Sequence, residues 1–145
     1  MVRKTWEDDL VRTVGAVAAV TGSGECERIE MPMTLRKWGN ERGRWQSQAG
    51  TKKLNRQGAE MAVKASRRLA ELRSLAARGE LAVAIVRRSN RLLDSDGVAS
   101  ACKHVRDGIA DALGVNDGSD NVVWLTAQER ASVASCLIVF ARIES

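Results

Sequence analysis

A continuous apolar run at residues 81–86, LAVAIV, constrains the fold more than any other stretch of this sequence. The run is too short for a typical helix, so it predicts a strand. An unbroken apolar strand is covered on both faces, as in the centre of a sheet. The chain must therefore arrange its other elements around a buried central strand.

The segment that follows predicts a helix over residues 97–113. Its apolar residues recur at three- and four-residue steps, which gives the helix one buried face: Val98, Ala101, Cys102, Val105, Ile109, Ala112 and Leu113. At about 100° per residue, Lys103 and Asp107 fall within roughly 20° of the line of Asp96. Ser100 and Asp111 lie close to the same line. The acids and the lysine therefore share the side opposite the apolar stripe.

Two elements are predicted before the central strand. Residues 27–34 alternate apolar and polar positions and predict a half-buried strand, which Pro32 places at an edge or near its end. Residues 51–77 carry apolar side chains at helical spacing and predict one long helix with a basic surface. The turn around Gly79 ends it.

After the predicted helix over residues 97–113, the sequence predicts two further strands, at residues 121–125 and 133–143, joined by residues 126–130. Together these elements predict one α/β (α+β) domain over residues 25–145, with a mixed β-sheet packed against two main helices. A length of 145 residues suits a single domain with an ordinary core.

The first 24 residues are interpreted as an N-terminal extension. They predict a short amphipathic helix over residues 1–20, from the spacing of Trp6, Leu10, Val11, Val14, Val17 and Ala18. Acidic residues interrupt the basic and apolar start, so we expect no signal peptide. No apolar run is long enough to span a membrane.

The cysteine and histidine content narrows the chemistry. The three cysteines, Cys26, Cys102 and Cys136, are far apart and form no Cys-x-x-Cys pair, so we expect free thiols in a reducing cytosol. His104 is the single histidine, which argues against histidine-based zinc sites and serine triads. Catalysis would therefore depend on carboxylates, lysine or a metal ion.

The net charge of +5 conceals an asymmetry between two segments. Residues 34–73 carry eleven Lys and Arg against three Glu, whereas residues 94–120 carry six acids against two basic residues. A basic segment beside an acidic pocket suits a polyanion held over a metal ion. Residues 36–50 also place Trp38 and Trp45 among arginines, as in loops that contact nucleic acid. The alternative is a solvated loop with both tryptophans in the core.

The acidic cluster permits two interpretations. Asp94 and Asp96 follow the central strand, and Asp117 returns in the next turn, so three hard oxygen ligands could hold Mg²⁺ or Mn²⁺. Alternatively, Asp96 caps the helix and Asp94 is solvated. An EF-hand is excluded, because the loop glycine and terminal glutamate are missing from their required positions.

The order of these residues resembles the RusA-type Holliday junction resolvases and their phage and prophage relatives. The likeness is carried by LDSDG, which begins at Leu93, by a helix holding Lys103, and by RDGIADALGVNDG, which begins at Arg106. The family pattern is Asp-x-Asp-Asn, a lysine one helical turn on, a helix ending near Asp-Ala-Leu, and an acidic turn. The likeness covers the C-terminal half well and residues 30–70 loosely.

The resemblance implies a metal-dependent endonuclease that cuts four-way (Holliday) junctions during recombination and repair. It also implies a homodimer in the cytoplasm of a bacterial host cell. Asp94, Asp96 and Asp117 would hold one or two Mg²⁺ ions, or Mn²⁺ in their place. Lys103 would stabilise the charge that develops on the phosphate. Asp107 and Asp111 would support the metal ligands indirectly or have a structural role.

The expected DNA contacts lie upstream of the acids. An Asn- and Arg-rich loop follows the family's first strand, which points to Asn40, Arg42 and Arg44. Basic residues at the start of the predicted helix adjoin this loop, and three arginines directly precede the acids, where they could hold a scissile phosphate. These further contacts are Lys52, Lys53, Arg56, Arg87, Arg88 and Arg91.

Two departures from the family pattern support a competing hypothesis. Gly97 occupies the usual Asn position, and Lys103 lies seven residues past Asp96 instead of four. Positions i+7 and i+4 lie on the same helix face, so the lysine could act one turn further along. The alternative is a non-catalytic DNA-binding protein with a degenerate RusA-like site.

Overall fold

The computed structural model describes residues 25–35, 45–116 and 121–143. Within these residues, four strands form one sheet in the spatial order β1-β4-β2-β3. The strands are β1 (Glu25–Met31), β2 (Leu81–Ser89), β3 (Val122–Arg130) and β4 (Ser135–Arg142). β4 is antiparallel to β1 and β2, whereas β3 is parallel to β2. The predicted mixed sheet is therefore confirmed.

Three helices in the described residues pack on one face of this sheet. They are α1 (Trp45–Lys64), α2 (Leu69–Ala77) and α3 (Ser95–Leu113). Each contributes to the main apolar core, α1 through Val63, α2 through Leu72 and α3 through Ile109. The predicted single α+β domain is confirmed, with α1 and α3 as its two main helices.

β2 is the buried central strand that its apolar run predicts. Leu81, Val83 and Ile85 point into the helix-covered core, because alternate strand residues face opposite sides of a sheet. Val86 and its neighbours point to the other face, where a second buried cluster lies: Ala82, Ala84, Val86, Ala127, Leu137, Val139 and Ala141. The register runs without a break from Leu81 to Ser89 along β3.

The predicted long helix over residues 51–77 is wrong in one respect, because it is two helices. The chain leaves α1 after Lys64 and re-enters a helix at Leu69. Ser66 lies in the break, where its Oγ accepts a hydrogen bond from the Arg68 N–H at 3.1 Å and donates one to Glu27 Oε2 at 2.6 Å. Such side-chain bonds compete with the helical ladder.

α1 also begins earlier than expected, at Trp45 instead of near Thr51. The polar composition of residues 45–50 predicted a loop, but Gln and Ala have good helix propensity. Gly50 lies in this first part of α1 and lowers helix stability by about 1 kcal/mol relative to Ala, a loss that packing of the rest of the helix can offset. The C-terminal boundary was predicted correctly, since α2 ends at Ala77 and Gly79 has a φ of +71°.

β3 corrects a second prediction. Residues 126–130 were predicted to connect two strands, yet they continue β3, with Thr126 paired to Ile85 and Arg130 paired to Ser89. Among the described strands β3 lies at the sheet edge, with a neighbour on one flank only, so polar side chains are tolerated there. On the opposite edge, β1 ends at Met31, just before Pro32, as predicted.

Several predictions concern residues outside the described ranges: the helix over residues 1–20, the loop over residues 36–44 and the turn with Asp117. Among the described cysteines, Cys102 and Cys136 are free and buried, as expected. Burial raises the pKa of Cys102 to about 12, so its thiol stays protonated. The described ranges contain no helix with the length and apolar composition of a membrane span.

Candidate active site

The acids of the predicted metal site lie where β2 passes into α3. Asp94 is the N-cap of α3, and its Oδ1 accepts a hydrogen bond from the Gly97 N–H at 2.6 Å. This corrects the capping alternative, which assigned the cap to Asp96. The cap satisfies one of the N–H groups that a helix start leaves without a partner.

Asp96 lies in the first turn of α3 with an exposed side chain. Asp94 is exposed as well, so both carboxylates stand at the protein surface. Asp117, the third predicted ligand, lies outside the described residues. Among residues 25–35, 45–116 and 121–143, no group of three or more His, Cys, Asp or Glu could hold a metal ion. A three-carboxylate site would therefore need at least one acid from outside these ranges, and Asp117 is the predicted one.

Gln128 positions the segment that carries Asp94, a role that the sequence did not reveal. Its Oε1 accepts a hydrogen bond from the Leu93 N–H at 2.9 Å, and its Nε2 donates one to the Leu93 carbonyl. This pair ties the residue before Asp94 to β3. A glutamine in a strand carries no sequence signal for such a role, because the contact spans 35 residues.

Arg87 is buried, which corrects its prediction as a DNA contact. Its side chain lies on the helix-covered face, and only 5% of the residue is exposed. Nε donates to the Leu35 carbonyl at 2.7 Å, and Nη1 donates to the Arg91 carbonyl at 2.7 Å. Burial lowers the pKa of Arg87 from its usual value. The guanidinium thus connects the chain after β1 to the loop before α3.

Replacing Arg87 by methionine is expected to lower the free energy of unfolding by about 2 kcal/mol, because two carbonyls lose charged donors. Methionine keeps much of the apolar volume, so little of this loss would come from a cavity. The matched control is Arg91→Met, whose exposed side chain should change stability by less than about 0.5 kcal/mol. Urea unfolding measures both. Equal midpoint shifts would contradict the role given to Arg87.

Arg88 and Arg91 differ in their availability to DNA. Arg88 is half-buried and bonds to two acids, with Nη1 at 3.1 Å from Glu30 Oε1 and Nε at 2.9 Å from Glu129 Oε2. It holds three strands together across the sheet. Arg91 is exposed beside the acids. Of the three arginines before Asp94, Arg91 is placed best to meet a phosphate.

A polar groove runs between α1 and α3. Lys103, Asp107 and Asp111 line it from α3, as their helical spacing predicted, and Arg56 reaches over from α1. The Arg56 guanidinium donates two hydrogen bonds to the Asp111 carboxylate, from Nε to Oδ2 at 2.7 Å and from Nη2 to Oδ1 at 3.0 Å. This hydrogen-bonded pairing is the main cause that holds the pKa of Asp111 below its usual value.

Cations from both α1 and α3 lie near His104. The pKa of His104 lies below its usual value, first because of burial and then because of the charges of Lys52, Lys103 and Arg56. Lys53, the neighbouring DNA candidate, is exposed on α1. Asn40, Arg42 and Arg44 lie outside the described residues. The structure therefore brings together the basic start of α1 and the exposed side of α3.

The candidate site thus combines exposed carboxylates at the start of α3 with cations further along the same helix and on α1. Such a surface can hold a phosphate backbone and place negative oxygens beside it. No model of a known protein family, no curated protein and no solved structure matches this chain. The site must therefore be interpreted from its own residues.

Proposed function

We propose that this chain is a Mg²⁺-dependent endonuclease that hydrolyses phosphodiester bonds of branched DNA. One observation carries the proposal: α3 presents Asp94 and Asp96 at its start and the exposed Lys103 two turns later, beside the cations of α1. Carboxylates and a cation on one exposed side suit a reaction at a phosphate. The order of residues that resembles the RusA-type resolvases supports the same conclusion.

The metal would be held by Asp94, Asp96 and Asp117. A carboxylate offers about four lone-pair sites, so the bond from the Gly97 N–H does not exhaust Asp94 as a ligand. Hard oxygen donors of this kind fit Mg²⁺, and Mn²⁺ could replace it. When bound, the metal would polarise the phosphodiester, lower the pKa of a bound water and neutralise the leaving oxygen.

The other residues hold and orient the DNA. Lys103 would stabilise negative charge as it develops on the scissile phosphate, an effect that is largest when the cation is already in position. Lys52, Lys53 and Arg91 would bind neighbouring phosphates, as would Arg42, Arg44 and Asn40 in the preceding loop. Arg56 is paired with Asp111, so its first role is to fix α1 against α3.

Branched DNA is the proposed substrate because the resemblance points to four-way junctions. A homodimer would place two such sites on opposed strands, in the cytoplasm of a bacterial cell. The competing function is DNA binding without cleavage. It is favoured by one observation, which is that Asp94 already serves as a helix cap.

A nicking assay on labelled DNA tests the proposal. In Mg²⁺ we expect paired nicks near the crossover of a four-way junction and an intact linear duplex of the same arm sequence. In Ca²⁺ the junction should be bound but uncut. Binding without nicking in Mg²⁺ would favour the non-catalytic alternative. A failure to bind either DNA would contradict both functions.

A further inference from the structure

A second cavity lies between α3 and the edge strand β3. Its volume is about 490 Å³, and it is lined by Ala99, Ser100, Cys102, Lys103, Arg106, Trp124 and Thr126. This volume falls within the roughly 300–1,000 Å³ of pockets that hold small molecules. The lining combines an aromatic ring, two cations and two hydroxyls.

Trp124 and Arg106 form a stacked wall of this cavity. The Arg106 guanidinium carbon lies 5.0 Å from the centroid of the Trp124 ring, within cation–π distance. The ring is half-buried and packs against the main core, which holds it in place. Its Nε1 is buried, and it has no acceptor among the described residues. The wall therefore offers planar groups to a flat ligand.

Lys103 connects this cavity to the candidate active site. It lines the cavity on one side and the groove with Asp107 on the other. Ala99 and Ser100 occupy the helical turn between Asp96 and Lys103. A ligand in the cavity would therefore lie beside the line along which the scissile phosphate is proposed to bind.

We propose that this cavity receives an unpaired nucleobase of the branched DNA. Planar guanidinium and indole groups stack on any base, whereas hydroxyls such as those of Ser100 and Thr126 can bond to base edges. An adjacent ammonium can hold the base's own phosphate. Bases at a branch point are easier to unstack than bases within a duplex. The cavity would thus recognise DNA structure and not sequence.

This inference rests on the proposed function, and its test separates the two. The probe is a four-way junction with one unpaired 2-aminopurine beside its crossover, bound in Ca²⁺, with a distant dye that reports binding through anisotropy. Stacking quenches 2-aminopurine, so we expect its fluorescence to fall at least about twofold on binding. Ala99→Leu should fill the cavity, abolish the quenching and weaken affinity by roughly fivefold or more.

The matched control is Ala70→Leu, because Ala70 is also an exposed helical alanine but lies on α2, outside the cavity lining. It should bind and quench like the unmodified protein. DNA binding without quenching, or equal quenching by Ala99→Leu, would overturn the cavity assignment and leave the endonuclease proposal standing. A failure to bind any of the DNAs would overturn both.

Discussion

Replacing Gly108 by alanine is expected to lower the free energy of unfolding by about 3 kcal/mol. An added Cβ would collide with the backbone oxygen of Arg56 and lie 2.9 Å from its carbonyl carbon and 3.0 Å from the Ala59 Cβ. Backbone atoms cannot rotate away as a flexible side chain can. The helices α1 and α3 would have to separate, which would open the core between them.

Gly58→Ala is the matched control for this prediction. Gly58 is also a helical glycine, but among the described residues its added Cβ would meet only the Met33 Cε at 3.4 Å, an ordinary contact with a flexible side chain. Alanine in a helix interior is favoured over glycine, so stability should rise by about 0.5–1 kcal/mol. Urea unfolding of both variants gives the comparison. If Gly108→Ala were as stable as the unmodified protein, then the two helices would not be packed this closely.

The close approach at Gly108 also matters for the candidate site. It brings α1 near enough for the Arg56 guanidinium to reach Asp111. The same approach determines the width of the groove that Lys103 lines. The sequence identified Arg56 and Asp111 as charged surface residues on separate helices. Their pairing could not be predicted, because it depends on the contact between those helices.

The elements with strong local patterns were predictable from the sequence. The apolar face of α3 is buried along its length, and its predicted polar side is the side that lines the groove. β2 was predictable because an unbroken apolar run has few alternatives in a single domain. In both cases the hydrophobic pattern of a short segment determines the outcome.

Features that depend on distant partners were not predictable. The break between α1 and α2 involves a bond from Ser66 to Glu27, 39 residues away. The burial of Arg87 depends on the Leu35 carbonyl, and the placement of Leu93 depends on Gln128. Arg87 and Arg91 received the same interpretation from the sequence. A count of charges shows neither the face of the strand on which a side chain lies nor a distant hydrogen-bond acceptor.

The second large effect concerns the carboxylates of the candidate site. Asp94→Asn, Asp96→Asn and Asp117→Asn should each reduce cleavage in Mg²⁺ by roughly a hundredfold or more, because weaker metal coordination removes transition-state stabilisation. Binding should hold or tighten, since each change removes a negative charge beside the DNA backbone. Rate and affinity are therefore expected to move apart.

Asp94 provides a further separation, because it caps α3. Asn is about as good an N-cap as Asp, so Asp94→Asn should leave stability nearly unchanged while it removes the charge. Asp94→Ala should lose the cap and about 1 kcal/mol of stability. If capping were the only role of Asp94, then Asp94→Asn would cut at the wild-type rate.

The cleavage rate in Mg²⁺ and the junction affinity in Ca²⁺, measured together for Asp96→Asn, test the endonuclease proposal most directly. Glu71→Gln is the matched control, since Glu71 is an exposed acid in the first turn of α2. We expect Asp96→Asn to bind the junction at least as tightly as the unmodified protein and to cut it roughly a hundredfold more slowly, with Glu71→Gln unchanged. Cleavage by Asp96→Asn at the wild-type rate, or a joint loss of binding and stability, would contradict the proposed site.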